Sequence, residues 1–256
     1  MTESAPQPTH RPQAGAEIVP RGYALGTHFH PPISLSKGGY NFAHAISEYL
    51  EARSVVLDPT KWTFSQPLSG SAESGLHLTI EPNLILLEAA YPAGHRMEWI
   101  ENRFKMVLEV FGDMFKPKVS LDSMAKVNAT MQIDGDAREF LVRHVTKLDP
   151  NRFSLLKRPI HAFGIRVFCP PYQKIEKKGK RQQKVEEVLW HVDVRAESLI
   201  EDPTVLYLDA EASWPVPGDW SGPKIREIVG HLDTVSDYLG KDVIEFLQNP
   251  TSGGTP

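Results

Sequence analysis

The chain has one cysteine, Cys169, in 256 residues, so no disulfide can close within it and no cysteine-rich zinc site can be built. Such usage fits a reducing compartment, and the expected location is cytoplasmic. No apolar run approaches the ~20 residues that a membrane helix needs. The N-terminal stretch MTESAPQPTHRPQAGAEIVPR also lacks the apolar core of a signal peptide, so no membrane association is expected. There is no positive surplus either: 28 Lys and Arg face 32 Asp and Glu, for a net charge of -4. Binding to nucleic acid or an anionic surface would therefore need a local basic patch. The chain carries no GxSxG elbow, no phosphate-binding GxxxxGK[ST], no HExxH and no GxGxxG, and nothing in it calls for a cofactor.

What is present is the composition of a folded body. Hydrophobic residues make up 41% and charged residues 23% of the chain, close to ordinary globular usage. Residues 1–20 are rich in Pro, Ala, Gln and Thr without apolar periodicity, and 249–256 combine Pro250 with paired glycines; both read as disordered tails. Between them a strand, turn and helix occurs twice, from Leu84 to Phe115 and from Val205 to Leu247. Each copy has an apolar run with one acidic residue (Glu88, Asp209) and an aromatic before proline (Tyr91 and Pro92, Trp214 and Pro215), then an amphipathic helix. The expected fold is α+β, a mostly antiparallel sheet covered by helices on one face, in two similar halves at 21–150 and 151–248. The halves share one sheet or face each other, and periodicity does not choose.

Local patterns place the elements. Phe42, Ile46, Tyr49 and Leu50 predict a helix over 40–53, and HLTI and LILLEAAY, parted by Glu81, Pro82 and Asn83, predict a hairpin. Ile100, Phe104, Val107, Leu108, Phe111 and Phe115 recur at helical spacing, as do Ile225, Ile228, Val229, Leu232, Val235, Leu239, Val243 and Phe246. Strict alternation marks strands from Leu121 to Ile133 and from Val188 to Arg195. Asp136 with Glu139 three residues on is a capping-box pattern for a short helix.

Several residue sets invite chemistry. The run KIEKKGKRQQK holds Lys174, Lys177, Lys178, Lys180, Arg181 and Lys184, and as a basic hairpin loop it offers nucleic acid a phosphate-neutralising finger. Exposed lysines also simply keep a loop soluble, and no aromatic interrupts the run to stack on bases. His28 and His30 point to one side of an extended strand, as a metal site requires, yet no spacing selects a third ligand. Asp134 and Asp136 resemble a cation-holding pair, with helix capping as the simpler role of Asp136. Asp209 and Glu211 share a strand face, which with a histidine, or with Glu176 and Lys178, outlines a metal-dependent phosphoesterase or nuclease. Cys169, between an apolar strand and two prolines, reads as a small hydrophobe. If the sheet is continuous, Lys126, Asn128, Thr130, Gln132, Arg166, His191, Asp193, Arg195, Asp209 and Glu211 converge on one polar face.

From Tyr91 and Pro92, through the Phe-rich helix, Asn128 within MAKVNATMQI, LYLDAEASW and the helix through His231, the order of features resembles a sporadically distributed family of uncharacterised bacterial proteins of about 260 residues. The resemblance covers the last two-thirds of the chain and implies no catalytic residue. The residues themselves lead to a non-catalytic recognition or accessory subunit. It would bind a protein partner through the sheet face (Lys126, Asn128, Arg166, Arg195) and the basic loop, with nucleic-acid binding and self-association as further uses of those surfaces.

Overall fold

In the computed structural model the described residues are 17–68, 74–91, 96–178 and 181–249, with backbone alone along 173–178 and 181–186. Twelve strands form: β1 (Ile18–His30), β2 (Ser54–Leu57), β3 (Trp62–Pro67), β4 (Gly75–Glu81), β5 (Leu84–Ala90), β6 (Val119–Gln132), β7 (Gly164–Cys169), β8 (Tyr172–Lys178), β9 (Arg181–Val188), β10 (His191–Ser198), β11 (Val205–Trp214) and β12 (Gly218–Asp219). The main helices are α1 (Gly39–Ile46), α2 (Met97–Phe115), α3 (Ala137–Glu139), α4 (Gly222–Tyr238) and α5 (Ile244–Gln248). A π-helical turn, Phe140–Val145, extends α3, and another, Leu239–Val243, joins α4 to α5.

The fold is α+β. A ten-stranded antiparallel sheet runs β2-β3-β4-β5-β1-β6-β11-β10-β7, with β12 on the end of β6, and β8-β9 form a separate two-stranded ribbon. With β2 and β12 set aside, the order reads alike from either end: β3-β4-β5-β1 faces β7-β10-β11-β6 across the β1-β6 pair. Each half begins with its central strand, passes through a short helix and three sheet strands, and ends in a long helix, α2 or α4. The two halves therefore share one sheet. The turn in chain order falls between α2 and β6, so β6, grouped above with the first half, is the topological counterpart of β1.

The helices lie on one face of this sheet because the strands alternate. Leu25, Phe29, Leu87, Leu78, Phe64, Val127, Ala210 and Val192 point to the same side and are buried. Phe29 of β1 meets Phe111 of α2 with ring centroids 4.9 Å apart. Phe42 of α1 stacks on Trp62 of β3 at 6.1 Å. Each such phenylalanine contributes about 1.5–3 kcal/mol by leaving water. Gly112 on α2 admits Trp220 from the second half: a Cβ there would lie 2.5 Å from the indole Nε1. Together α2 and α4 close over the sheet's centre.

Some local expectations change. Helix α1 ends at Ile46, and Ser54–Leu57 are recruited as edge strand β2, with the Arg53 amide donating to Ser65 O at 2.9 Å. The expected N-terminal tail loses Ile18, Val19 and Pro20, which pair with Met131, Thr130 and Ala129; Asn249 closes on Glu245 O at 2.8 Å. The rest of both tails, 1–16 and 250–256, lies outside the described residues. The basic run is not a loop between strands. Its register, with Ile175 opposite Lys184 and Lys178 opposite Arg181, makes it most of the ribbon itself. The alternation starting at Val188 spans two elements, because the chain leaves the ribbon there and enters the main sheet at His191. Among the described residues, no helix is long and apolar enough to cross a membrane.

Under α4 the core holds the imidazole of His231. His231 lies flat on Trp214, centroids 3.7 Å apart and planes 1° from parallel, and its Nδ1 is 2.9 Å from Ser123 Oγ. Burial, with a smaller opposing influence from Glu227, lowers its pKa from 6.5 to about 4. Between pH 6.5 and 4 the unfolded chain binds a proton that the native protein refuses, so stability falls as pH falls through that window. Glu101 on α2 acts in the opposite sense. Burial first, then Asp233 and Glu98, raise it to about 7, so its contribution weakens stability as pH rises from ~4.5 to 7. His231→Phe should isolate the first effect: relative to the native sequence it should lose a pH-dependent destabilisation of up to about 3 kcal/mol between pH 6.5 and 4. Urea unfolding at both pH values measures it; identical slopes for the two proteins would refute the assignment.

Candidate functional site

Among the described residues, no helix covers the other face, which gathers the polar ends of β5, β1, β6, β11, β10 and β7. At its centre β1 carries glycine: a Cβ on Gly26 would lie 3.0 Å from Met124 Cγ and 3.2 Å from Leu86 Cδ1. Their side chains, from β6 and β5, thus close over the strand as an apolar patch, while the half-buried Tyr207 stands three pairs further along β11, opposite Thr130. Along the same face the cross-strand register sets the charges. Lys126 stands opposite Glu211, one pair along from Asn128 opposite Asp209, while Asp193 and Arg195 of β10 face Glu211 and Asp209 from the other side.

All ten residues expected on the polar face are brought to it by the single sheet, but its cations are already engaged. The Lys126 ammonium is 3.0 Å from Asp209 Oδ2 and 3.4 Å from Glu211 Oε2. Burial depresses the Lys126 pKa, but the hydrogen bonds and charges of Asp209 and Glu211 outweigh it, and the net shift is upward. Arg166 clasps Asp193 with two N–H groups, Nε lying 2.9 Å from each carboxylate oxygen, and Arg195 Nη2 stands 3.4 Å from Asp193 Oδ2. The hydrogen bond from Arg166 is the largest cause of the lowered Asp193 pKa. Gln132 Nε2 donates to Thr204, and Arg21 Nε donates to Thr130 Oγ1 at 2.9 Å. His191 contacts the Ser213 hydroxyl and packs beside Phe168.

Two acceptors on this face lack donors among the described residues. Asn128 Oδ1 and Asp209 Oδ1, on directly paired residues, are buried and unbonded. Such groups cost free energy unless a donor reaches them. Glu88 and Glu197 are exposed and have no ion-pair partner among the described residues. Counting outward groups on the six strands, Arg21, Lys126, Arg166 and Arg195 meet Glu88, Asp122, Asp193, Glu197, Asp209 and Glu211. The carboxylates are in excess.

The remaining candidates disperse. His28 Nδ1 pairs with Asp122 Oδ1 at 2.8 Å, while His30 ends β1, exposed. Asp136 Oδ1 accepts from the Glu139 amide at 3.0 Å, the capping role, and its Oδ2 takes Arg138. No group of three or more His, Cys, Asp or Glu placed to hold a metal occurs among the described residues. Asp209 and Glu211 converge on Lys126 instead of an imidazole. Cys169 is half-buried, on the core side of β7, its Sγ 4.0 Å from Tyr238 Oη. Lys174, Lys177, Lys178, Arg181 and Lys184 fall on β8 and β9, where the side chains, like those of Glu176, lie outside the description; Lys180 lies outside the described residues altogether. Sequence reasoning missed Lys126 as the link between the two carboxylates. The signal was only the parity of three positions, joined across 83 residues by register.

No protein-family model matches the chain, and no curated protein matches its sequence.

The Lys126 pair yields a stability test. Lys126→Met leaves the buried Asp209 carboxylate without its cation and should destabilise by about 1–3 kcal/mol, less than a fully enclosed pair because Lys126 keeps some exposure. Adding Asp209→Leu should recover most of that loss. Equal destabilisation in the single and double variants, measured by chemical unfolding, would show that the pair is not coupled.

Proposed function

We propose that this protein is a cytosolic recognition or accessory subunit that holds a cation-bearing protein partner on the open face of its sheet. The observation that carries this reading is the charge left after the internal ion pairs close. Glu88 and the half-exposed Glu211 stand one pair along from the apolar patch of Leu86 and Met124, Glu197 stands opposite Tyr207 further along the face, and two acceptors between them await donors. Apolar surface flanked by charged groups is the anatomy of a protein–protein interface. A surplus of carboxylates selects a partner presenting Lys or Arg and speeds its encounter.

Of the residues expected to bind a partner, Lys126, Arg166 and Arg195 act here through the carboxylates that they pair with. Those three cations are held by Asp209, Glu211 and Asp193, so an anionic partner would have to displace carboxylates already in place. Asn128 keeps its part as an acceptor. The same count weighs against nucleic acid on this face, and a phosphoesterase built on Asp209 and Glu211 would need a metal to displace the Lys126 ammonium. Neither reading gains support from the geometry of this face.

A photo-reactive phenylalanine analogue placed at Met124 or Phe168, on the open face, and at Met114, on the exposed side of α2, tests the proposal in source cells. Adducts with another protein are expected from the first two positions alone. Glu88→Lys with Glu211→Lys should cut their yield at least ~10-fold. Adducts from Met114 only, self-adducts only, or a yield indifferent to charge reversal would overturn the reading.

A further inference from the structure

Away from the sheet face, a cleft of about 270 Å³ lies between the α3 segment and the 3₁₀-helical stretch Pro150–Leu156. Its walls combine Val142, Phe153 and Ile160 with Arg138, Arg143 and Arg158, against one acid, Glu139. The surrounding segment, residues 137–161, carries Arg138, Arg143, Lys147, Arg152, Lys157 and Arg158 against Glu139 and Asp149. That is a strong local positive surplus in a chain whose net charge is -4.

The three arginines have different tasks. Arg138 holds the walls together: Nη1 donates to Ile160 O at 2.5 Å and Nη2 to Asp136 Oδ2 at 3.2 Å. Arg143 is only loosely committed, its Nε 3.9 Å from Glu139 Oε2, beyond hydrogen-bonding reach. Arg158 is exposed and has no acidic partner among the described residues. Arg143 also belongs to the π-helical turn, a distortion frequent at functional sites. Lys147 and Lys157, at φ 54° and 53°, hold left-handed conformations on either side of the 3₁₀ stretch.

The geometry points to a binding site for a small phosphate monoester with an apolar body. Two guanidinium forks offer more N–H donors than a carboxylate's two oxygens take up, and suit the three acceptor oxygens of a phosphate. The Phe153, Val142 and Ile160 walls would take the organic part. The site is separate from the sheet face, and it stands or falls independently of the partner proposed there.

Phenyl phosphate added to the full chain and followed by NMR tests it. Saturable shifts are expected within residues 138–160, with affinity at least ~10-fold lower in Arg143→Ala/Arg158→Ala. Inorganic phosphate, lacking the apolar body, should bind several-fold more weakly. Arg143→Lys/Arg158→Lys keeps the charge without the fork and should fall between, while Lys241→Ala, at a surface ion pair elsewhere, should match the native protein. Circular dichroism confirms that each variant folds. No saturation up to about 10 mM phenyl phosphate, affinity unchanged in the double alanine variant, or equal binding of inorganic phosphate would overturn the assignment.

Discussion

The antiparallel pairing of β1 with β6 is the contact on which the rest of the structure depends. It runs nearly the full length of both strands, from Ile18 opposite Met131 to His30 opposite Val119. Because each strand also opens one half of the chain, this pairing fuses two small sheets into one. Strand alternation then does the sorting: one parity feeds a common core under α1, α2 and α4, and the other parity is left outside. An exposed sheet face is thus a consequence of the fusion, since the helices of both halves are directed to the same side.

The same pairing shapes the outer face. Gly22 and Gly26 lie on the outward parity of β1, where the backbone approaches Asn128, Leu86 and Met124 closely. Larger residues there would lift those side chains away from the strand. Beside this low ridge, β6 and β11 carry the linked charges Lys126, Asp209 and Glu211, and β10 and β7 carry Asp193, Arg195 and Arg166. Half-buried pairs of this kind contribute little net stability, because desolvation offsets much of the attraction. Their stronger effect is to fix which carboxylates remain unpaired.

Much of this architecture was legible in the sequence. The stripe from Ile100 to Phe111 and that from Ile225 to Val235 became α2 and α4, and the alternation from Leu121 to Ile133 became β6. These signals are local, set by one side chain's distance from the next. The order of the strands was not legible, because it depends on pairing between distant segments with interchangeable apolar faces. Strand β2, directly after the predicted helix, was not anticipated, and a lysine-rich run taken for a loop proved to be most of a ribbon: charge says little about backbone conformation when both faces are polar. The polar face was anticipated as a set of residues. Its partners were not, since Arg166 meets Asp193, and Lys126 meets Asp209, only through register. The arginine cleft escaped notice because its residues are spread over about twenty positions with no period, and only the turn at Pro150 draws them together.

Native-state hydrogen exchange measures the central claim most directly, that one sheet joined at β1 and β6 makes the two halves a single cooperative body. The amides of Leu25 and Val127 should be among the slowest to exchange and should open with the same free energy and denaturant dependence as those of Leu87 and Leu208. If residues 119–247 open at a clearly lower free energy while 18–115 stay protected, the halves are separate units, and the continuous face between them does not exist as described.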